Sequence, residues 1–408
     1  MTPYPGVVLT LAVLACLSHV AGAQTAAPGV GFEDGFFVQT PDGQNRLGLG
    51  LAAQADGRFS IDDPVPLGST FTIRKMRPTL TGRVARYFDF KVMPDFGNGT
   101  TIIQDAYLDV NLSPAFRVRA GKDKTPVGYE LLIGDAFLLF PERSLASSLV
   151  PNRDVGFQVQ GDLHDRRWSY AAGIFNGIPD GASATTDVDA NRGKDVAMRV
   201  VLRPFRDAGR PAGALRGLGF QVGSSYGGEE SALPSFRTSV GQTWFAYDGA
   251  ASADGVRRRI TPSVFYYYRG FGGFAEYMRS TQAIARAGAR TSVANQGWDV
   301  TGSLALTGEA ASDKGIHPAK PFDPPSGNWG AWQLVARYAS VAVDRAAFEQ
   351  GLAGPAASRR ARQYTAGINW YPAAVVKYYA NFERTAFPEA ADSRPVENVF
   401  IVRAQLAF

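Results

Sequence analysis

The last twelve residues of the chain, 397–408, read ENVFIVRAQLAF, and their side chains alternate between two faces of an extended strand. From Phe400 onwards one face is apolar and carries Phe400, Val402, Ala404, Leu406 and Phe408. The other face carries the polar residues Arg403 and Gln405 beside Ile401. Alternation with a period of two is typical of a β-strand between an apolar and a polar environment. The stretch therefore predicts a β-strand at the C-terminus.

The same alternation recurs along the chain; in 194–204, for instance, Met198 and Val200 lie opposite Arg199. Sixteen strands are predicted, at residues 46–60, 71–84, 86–96, 103–112, 115–122, 154–163, 166–175, 194–204, 216–226, 256–268, 271–282, 296–308, 328–341, 361–371, 374–386 and 397–408. An even number of antiparallel strands brings both chain ends to the same side of a closed sheet. The pattern therefore predicts an all-β fold, a transmembrane antiparallel β-barrel of 16 strands.

The connections between the predicted strands differ in length. Ala85, residues 113–114 and residues 371–373 leave room for tight turns, whereas 123–153, 176–193 and 227–255 are long. Short turns on one side and long loops on the other are typical of outer-membrane barrels. Aromatic residues gather near strand ends, at 266–268, 329–332, 370–371 and 378–379. Such rings favour the boundary between membrane and water, so they predict two aromatic girdles.

The composition argues against most kinds of catalytic and metal site. The chain of 408 residues contains one Cys and three His, and its 42 Lys and Arg against 37 Asp and Glu give a net charge of +5. Zinc sites, iron-sulfur sites and disulfide frameworks lack the residues they need. The GSSYG stretch at 223–227 matches a hydrolase nucleophile motif, but a loop with Pro234 follows it instead of a helix. We expect no enzyme activity, no metal, no cofactor and no nucleic-acid partner.

The N-terminus has the features of an export signal. Residues 7–17 form an apolar run, and Ala21-Gly22-Ala23 is a small-residue cleavage site before Gln24. We predict a signal peptide at 1–23, a periplasmic N-terminal segment at 24–45 and a barrel at 46–408. Lipidation of Cys16 is an alternative that the sequence leaves open.

Several longer motifs are more specific than the alternation. They are IRKMRP at 73–78 followed by Gly82, QDAYL at 104–108, GKDKTPVG at 121–128, PERSL at 141–145, VPNRDVG at 150–156, YAAGIFNG at 170–177, and the run from PFDP at 321–324 to WGAWQL at 329–334. In order and spacing they resemble the phosphate-selective porin O/P family of Gram-negative outer membranes. The resemblance covers nearly all of the chain after the predicted signal peptide.

The resemblance implies a porin in the outer membrane that passes small anions such as phosphate or polyphosphate. It also implies a homotrimer surrounded by outer-membrane lipid, in which the third long loop, here 123–153, folds into the lumen as a constriction loop. Phe408 resembles the terminal signal that the barrel-assembly machinery reads in such proteins.

The resemblance also indicates where anions would bind. Arg74, Lys75 and Arg77 would lie on a strand that lines the pore, and the constriction loop would bring Lys124 and Arg143 towards it. The full candidate set of pore-lining and anion-binding residues is Arg74, Lys75, Arg77, Arg83, Lys122, Lys124 and Arg143. Arg offers a fork of donors to an oxyanion, whereas Lys acts as a point charge.

Two questions about this site stay open at the level of the sequence. Alternation puts Arg74 and Lys75 on opposite faces unless a β-bulge intervenes, while Arg77 and Arg83 share the face of Lys75. The cations also have acidic residues available as partners, namely Asp95, Asp105, Asp109, Asp123 and Asp135. A non-selective general porin therefore remains an alternative, as does a secreted β-rich binding protein, whose strands would alternate in the same way.

Overall fold

The structure is a computed structural model that describes residues 29–61, 68–185, 193–206, 213–230, 232–389 and 396–408. The predicted signal peptide 1–23, with Cys16, lies outside the described residues. Within the described part of the chain, no helix is both long enough and apolar enough to span a membrane.

The described residues form twenty strands and two short helices. The strands are β1 (Gly29–Phe32), β2 (Phe36–Gln39), β3 (Arg46–Ser60), β4 (Thr70–Val84), β5 (Phe88–Asp95), β6 (Ile102–Ser113), β7 (Phe116–Lys124), β8 (Arg153–Leu163), β9 (Trp168–Phe175), β10 (Asp195–Leu202), β11 (Leu218–Glu229), β12 (Ser235–Arg237), β13 (Thr243–Ala246), β14 (Ser252–Tyr268), β15 (Phe271–Arg286), β16 (Ala289–Ala305), β17 (Ala331–Ala342), β18 (Arg360–Ala373), β19 (Val376–Ala386) and β20 (Val396–Ala407). The helices are α1 (Tyr129–Leu132) and α2 (Arg345–Glu349).

Sixteen of these strands, β3 to β11 and β14 to β20, form one closed antiparallel barrel. Each pairs with its neighbours in the chain, and β20 closes the sheet against β3 through pairs that include Val402 with Gly57 and Gln405 with Gln54. The predicted sixteen-stranded barrel is confirmed. The largest difference in a strand boundary is at β16, which begins at Ala289 instead of 296, because a two-residue turn at 287–288 lets it pair with β15 along its whole length.

The two faces of the barrel wall differ as the alternation predicts. On β20, Arg403 and Gln405 point inwards and are buried, whereas Val402 and Leu406 point outwards. On β10, Met198 and Val200 are likewise exposed on the outer surface. The outer face therefore suits hydrocarbon, and the inner face holds the polar groups.

The connections fall into two sets at opposite ends of the barrel. Tight turns at 85–87, 114–115 and 374–375 share one end, called here the turn end, with both termini of the barrel. The other end, the loop end, carries the connections 125–152, 176–194 and 230–251. The connection 306–330 is long although it lies at the turn end, and the two-residue turn 287–288 lies at the loop end.

A hairpin of β1 and β2 precedes the barrel and lengthens its wall, because β2 pairs with β3 from Phe36 opposite Leu49 to Gln39 opposite Arg46. The rings of Phe32 and Phe36 lie 5.9 and 5.7 Å from the ring of Phe408. Part of the segment 24–45 is thus continuous with the sheet. Its periplasmic location stays a prediction.

Two loops fold into the barrel and fill one side of it. The constriction loop, residues 125–152, contributes Leu131, Leu149 and other apolar side chains to a buried cluster. The connection 230–251, with β12 and β13, adds Phe236 and Phe245, and the wall adds Met278 of β15. The core of the molecule therefore sits inside the barrel against β14 to β18, and the predicted placement of the constriction loop in the lumen is confirmed.

Replacing Leu334 by Arg tests the membrane-facing surface. Leu334 is exposed on the outer face of β17, between the rings of Trp332 and Tyr338. We expect the substitution to lower the free energy of unfolding by about 2 to 4 kcal/mol, because it places a charge in hydrocarbon. The measurement is denaturant unfolding of the protein folded into lipid vesicles.

Ser340→Arg is the matched control, since Ser340 lies on the same face of the same strand but beyond Tyr338, near the loop end. We expect it to cost only about 0 to 1 kcal/mol, as at a membrane boundary. Equal losses from the two variants would show that this surface does not face a bilayer.

Candidate functional site

A β-bulge on β4 decides where the first two candidate cations point. In the pairing of β3 with β4, Gln54 lies opposite Lys75 but its neighbour Ala55 lies opposite Ile73, so Arg74 is an extra residue without a partner. A bulge of this kind interrupts the alternation of the strand. Arg74 and Lys75 therefore both reach residues of the constriction loop inside the barrel.

Glu142 of the constriction loop forms ion pairs with three guanidinium groups of the barrel wall. Arg74 donates to its two carboxylate oxygens from Nε at 2.6 Å and from Nη2 at 3.0 Å. Arg403 approaches at 3.3 Å, and Arg58 also forms an ion pair with Glu142. Burial by itself raises the pKa of this loop carboxyl, but Arg74 and Arg403 outweigh that effect and hold the pKa of Glu142 well below its usual range. Glu142 is therefore an anion at neutral pH.

Asp135, in the same loop, is the second carboxylate that several cations share. Lys75 Nζ lies 2.8 Å and Arg143 Nη2 lies 2.6 Å from its oxygens, and Arg77 also pairs with it. Arg77 bridges to the wall as well, through Asp95 at 2.7 Å. Burial opposes ionisation of Asp135, but the surrounding cations led by Lys75 keep its pKa well below the usual range. The two loop carboxylates thus fix the loop against the cationic wall.

The ion pairs continue along the wall towards the turn end. Asp105 of β6 accepts from Arg153 Nε at 2.6 Å and pairs with Lys91 Nζ at 2.7 Å. Arg119 of β7 forks onto Asp109 with distances of 2.7 and 2.6 Å. Cations and carboxylates therefore alternate on the inner face of β4 to β8.

Two cavities lie beside this charged wall. The cavity towards the loop end has a volume of about 1050 Å³, and the cavity towards the turn end has a volume of about 390 Å³. Arg77, Asp135 and Arg153 line both of them, so these three side chains stand where the two cavities meet.

The lining of the two cavities carries an excess of positive charge. Among the described residues that line them, eleven are cations: Arg58, Arg74, Lys75, Arg77, Lys91, Arg119, Lys124, Arg143, Arg153, Arg199 and Arg237. Six are carboxylates: Asp95, Asp105, Asp123, Asp135, Glu142 and Asp180. The ion pairs neutralise part of the positive charge, but more cations than carboxylates face the open space.

The opposite side of the constriction loop is held by hydrogen bonds from the wall. Glu276 of β15 accepts from the backbone N–H groups of Tyr129 at 2.5 Å and of Glu130 at 3.1 Å. Asp299 of β16 accepts from Ser144 Oγ at 2.9 Å, and Arg337 of β17 donates to Glu130 at 3.2 Å. The loop is therefore fixed on both sides of the barrel.

The structure brings four of the seven candidate residues together: Arg74, Lys75, Arg77 and Arg143 surround the two loop carboxylates. Lys124 lines the cavity near the turn end, but its Nζ donates to the carbonyl oxygens of Leu131 at 2.6 Å and Ile133 at 2.8 Å. It therefore supports the constriction loop.

The other two candidates lie apart from this group. Arg83 is half exposed near the turn end of β4, where its Nε donates to Asp89 at 2.7 Å. Lys122 is buried on β7 and is not part of the lining of either cavity. Their roles as pore-lining residues stay predictions.

Sequence reasoning did not assign Arg58, Arg153 or Arg403 to the site, nor Glu142. Arg403 was visible on the polar face of the last strand, and Glu142 lies in the PERSL motif at 141–145. The alternation shows that such residues point inwards. It does not show which of them meet, because the partners of Glu142 are 68, 84 and 261 residues away in the chain.

Several solved structures share this fold. The outer membrane channel DcaP of Acinetobacter baumannii is similar with a TM-score of 0.60 at 10% identity, over 91% of this chain and 99% of that chain. OmpF of Salmonella typhi, in complex with daunomycin, has a TM-score of 0.52 at 10% identity, over 93% of this chain and 100% of that chain. In-vitro folded OmpT of Vibrio cholerae has a TM-score of 0.53 at 11% identity, over 90% and 98%. The fold is that of an outer-membrane porin.

The sequence places the chain more narrowly. It matches the family described as phosphate-selective porin O and P over residues 47–408, and the chain belongs to that family. No curated protein matches the sequence. The family and the fold locate the protein in the outer membrane and favour a channel over an enzyme.

Removing the carboxylate of Glu276 tests how the constriction loop is held. Glu276→Ala leaves two buried N–H groups without an acceptor, so we expect the free energy of unfolding to fall by about 2 kcal/mol or more. We also expect a larger and noisier single-channel conductance, because the loop loses its attachment to β15.

Gln282→Ala is the control for Glu276→Ala. Gln282 is also buried on the inner face of β15, but its side chain donates only to the adjacent carbonyl of Ala283, at 2.8 Å, among the described residues. We expect its conductance to match that of the wild type. An unchanged conductance in Glu276→Ala would mean that Glu276 does not restrain the loop.

Proposed function

We propose that the protein is a channel for the passive diffusion of small anions across the outer membrane, with phosphate or polyphosphate as candidate solutes. The observation that carries the proposal is the lining of the two cavities, where the described part of the chain contributes eleven cations and six carboxylates. Fixed positive charge in a narrow passage concentrates anions and repels cations. The family description also names phosphate selectivity.

The side chains where the cavities meet suit an oxyanion. Arg77 and Arg153 each carry a planar fork of donors, and charge-assisted hydrogen bonds from such groups replace the water that a phosphate loses in a narrow passage. Lys75 adds a compact charge close by, through the Asp135 that it shares with Arg77. A phosphate would compete with Asp135 for the same donors.

A non-selective general porin is the second candidate, and the pairing of charges favours it. Asp135 and Glu142 each neutralise several cations, and the site candidate Arg83 is paired with Asp89. A cation that already has a carboxylate partner attracts a passing anion less strongly. The family match leaves the alternative of a secreted binding protein without support.

We further propose that the protein assembles as a homotrimer in outer-membrane lipid and is inserted by the barrel-assembly machinery. The family resemblance supports the trimer, and one neighbour of similar fold, OmpT of Vibrio cholerae, is described in a trimer form. Phe408 at the end of the last strand supports recognition by the assembly machinery. Cross-linking in mild detergent counts the copies in the assembly.

Replacing Arg77 and Arg153 together by Gln tests the selectivity. The change keeps hydrogen-bonding capacity but leaves Asp95, Asp105 and Asp135 with fewer cations. We expect the wild type to prefer anions most strongly in dilute salt, since the Debye length falls from about 30 Å at 0.01 M to about 3 Å at 1 M. The double variant should conduct but lose this preference, measured as reversal potential in a salt gradient.

Arg83→Gln is the control on the same strand, outside the lining of the two cavities. It removes one positive charge near the turn end, and we expect the anion preference to stay close to that of the wild type. Cation preference of the wild type in dilute salt would refute the anion channel and leave the general porin.

Phosphate itself separates a binding site from a merely positive lumen. If Arg77 and Arg153 bind phosphate, millimolar phosphate should block the chloride current through single channels, because a bound oxyanion occupies the junction of the two cavities. The double Gln variant should not be blocked. Chloride current that phosphate leaves unchanged in the wild type would argue against phosphate as the preferred solute.

A further inference from the structure

Four arginines point outwards from the barrel wall near its loop end. They are Arg258 of β14, Arg279 of β15, Arg362 of β18 and Arg384 of β19, called here the outer arginines. Their neighbours in each strand, such as Arg259 and Gln363, are buried on the inner face. Because an outward-facing Arg at the bilayer midplane costs about 2 to 4 kcal/mol, we expect the outer arginines to lie outside the hydrocarbon.

A belt of aromatic rings lies beside the outer arginines. The rings of Trp298 and Tyr338 are 4.9 Å apart, and those of Tyr338 and Tyr364 are also 4.9 Å apart. Tyr364 lies opposite Arg384 in the pairing of β18 with β19. Since Trp and Tyr mark the boundary between hydrocarbon and headgroups, the outer arginines lie at the level of the headgroups.

The outer arginines have no counter-charge in the part of the chain that the structure describes. Among the described residues, none of the four has a carboxylate within ion-pair distance, and Arg384 donates only to Asn398, at 3.2 Å. Other arginines near the loop end are paired: Arg290 with Asp254 at 2.7 Å and Arg359 with Glu389. The outer arginines therefore carry a positive charge that a ligand is free to neutralise.

The outer arginines are arranged as two pairs. Arg258 lies opposite Thr281 and Arg279 opposite Ile260, so the two are diagonal neighbours on adjacent strands. Arg362 and Arg384 are diagonal neighbours in the same way, through Ala386 and Tyr364. Diagonal neighbours are about 7 to 8 Å apart at the backbone, which lets two long side chains reach one phosphate group.

In the described residues, the unpaired outward-facing arginines near the loop end lie on one side of the barrel. At the loop ends of β4, β6 and β8, the outward positions are held by apolar residues such as Phe71, Ile103 and Phe157, all of them exposed. The sector from β14 to β19 thus differs from the rest of the wall. If these arginines only kept the loop end soluble, similar charges would be expected all around the barrel.

We propose that the two arginine pairs bind the phosphate groups of an anionic lipid headgroup in the outer leaflet, such as those of a phosphorylated glycolipid. The guanidinium forks would take the phosphates, and the aromatic belt and apolar wall below them would contact the acyl chains. The proposal concerns the outer surface and does not depend on the selectivity of the channel.

The test uses the full barrel folded in detergent and titrated with lipid A, which carries phosphates, or with dephosphorylated lipid A. We expect lipid A to raise the thermal unfolding temperature of the wild type and the dephosphorylated form to bind at least about tenfold more weakly. The same titration of the wild type with inorganic phosphate should give no comparable shift, because free phosphate lacks the acyl chains. Equal binding of both lipids, or an equal shift with free phosphate, would overturn the proposal.

Variants locate the binding site. Two double variants, R258Q with R279Q and R362Q with R384Q, should each bind lipid A at least about tenfold more weakly than the wild type. Their single-channel conductance should be unchanged. The control, R290Q with R359Q, removes the same charge from arginines that already have carboxylate partners. Wild-type affinity in both double variants would overturn the proposal, and so would an equal loss in the control.

Discussion

The structure depends on one constraint, namely that a sheet crossing hydrocarbon must satisfy all of its backbone hydrogen bonds internally. An open sheet leaves the N–H and C=O groups of its two edge strands without partners. Here β20 pairs with β3, from Val399 opposite Ser60 to Ala407 opposite Ala52, and this pairing removes both edges. The hairpin of β1 and β2 continues the pairing of β3 beyond the end of β20, and its rings pack on Phe408.

Closure creates an interior, and a barrel of sixteen strands is too wide for its own side chains to fill. The chain fills part of it with the constriction loop and the connection 230–251. Apolar side chains on one side of the constriction loop pack against β14 to β18, and its carboxylates on the other side face the cations of β3, β4 and β20. The loop thus lies between an apolar and a charged wall. The open space is left beside the charged wall, where the solutes would pass.

The charges near this space serve two purposes that compete. Glu142 and Asp135 need the surrounding cations, because a buried carboxylate without partners is strongly unfavourable. The same pairing reduces the field that attracts anions. The excess of cations over carboxylates in the lining is what remains for a solute, and it is concentrated on the inner face of β3 to β10. Arg199, for which the described residues provide no ion pair, belongs to this excess.

The sequence by itself determined the sixteen strands of the barrel and, away from bulges, the face that each side chain takes, because a period of two is a local property of the backbone. The shared face of Lys75 and Arg77 and the place of Arg403 on the polar face of the last strand follow from that period alone. Tertiary structure decided the rest. The bulge that turns Arg74 inwards exists only in the pairing of β3 with β4. The cations that meet at Glu142 come from β3, β4 and β20, and only closure of the barrel brings these strands around one loop. Lys124 has the charge of a pore-lining residue, but the fold of the constriction loop places two backbone carbonyl oxygens where its Nζ donates hydrogen bonds to them.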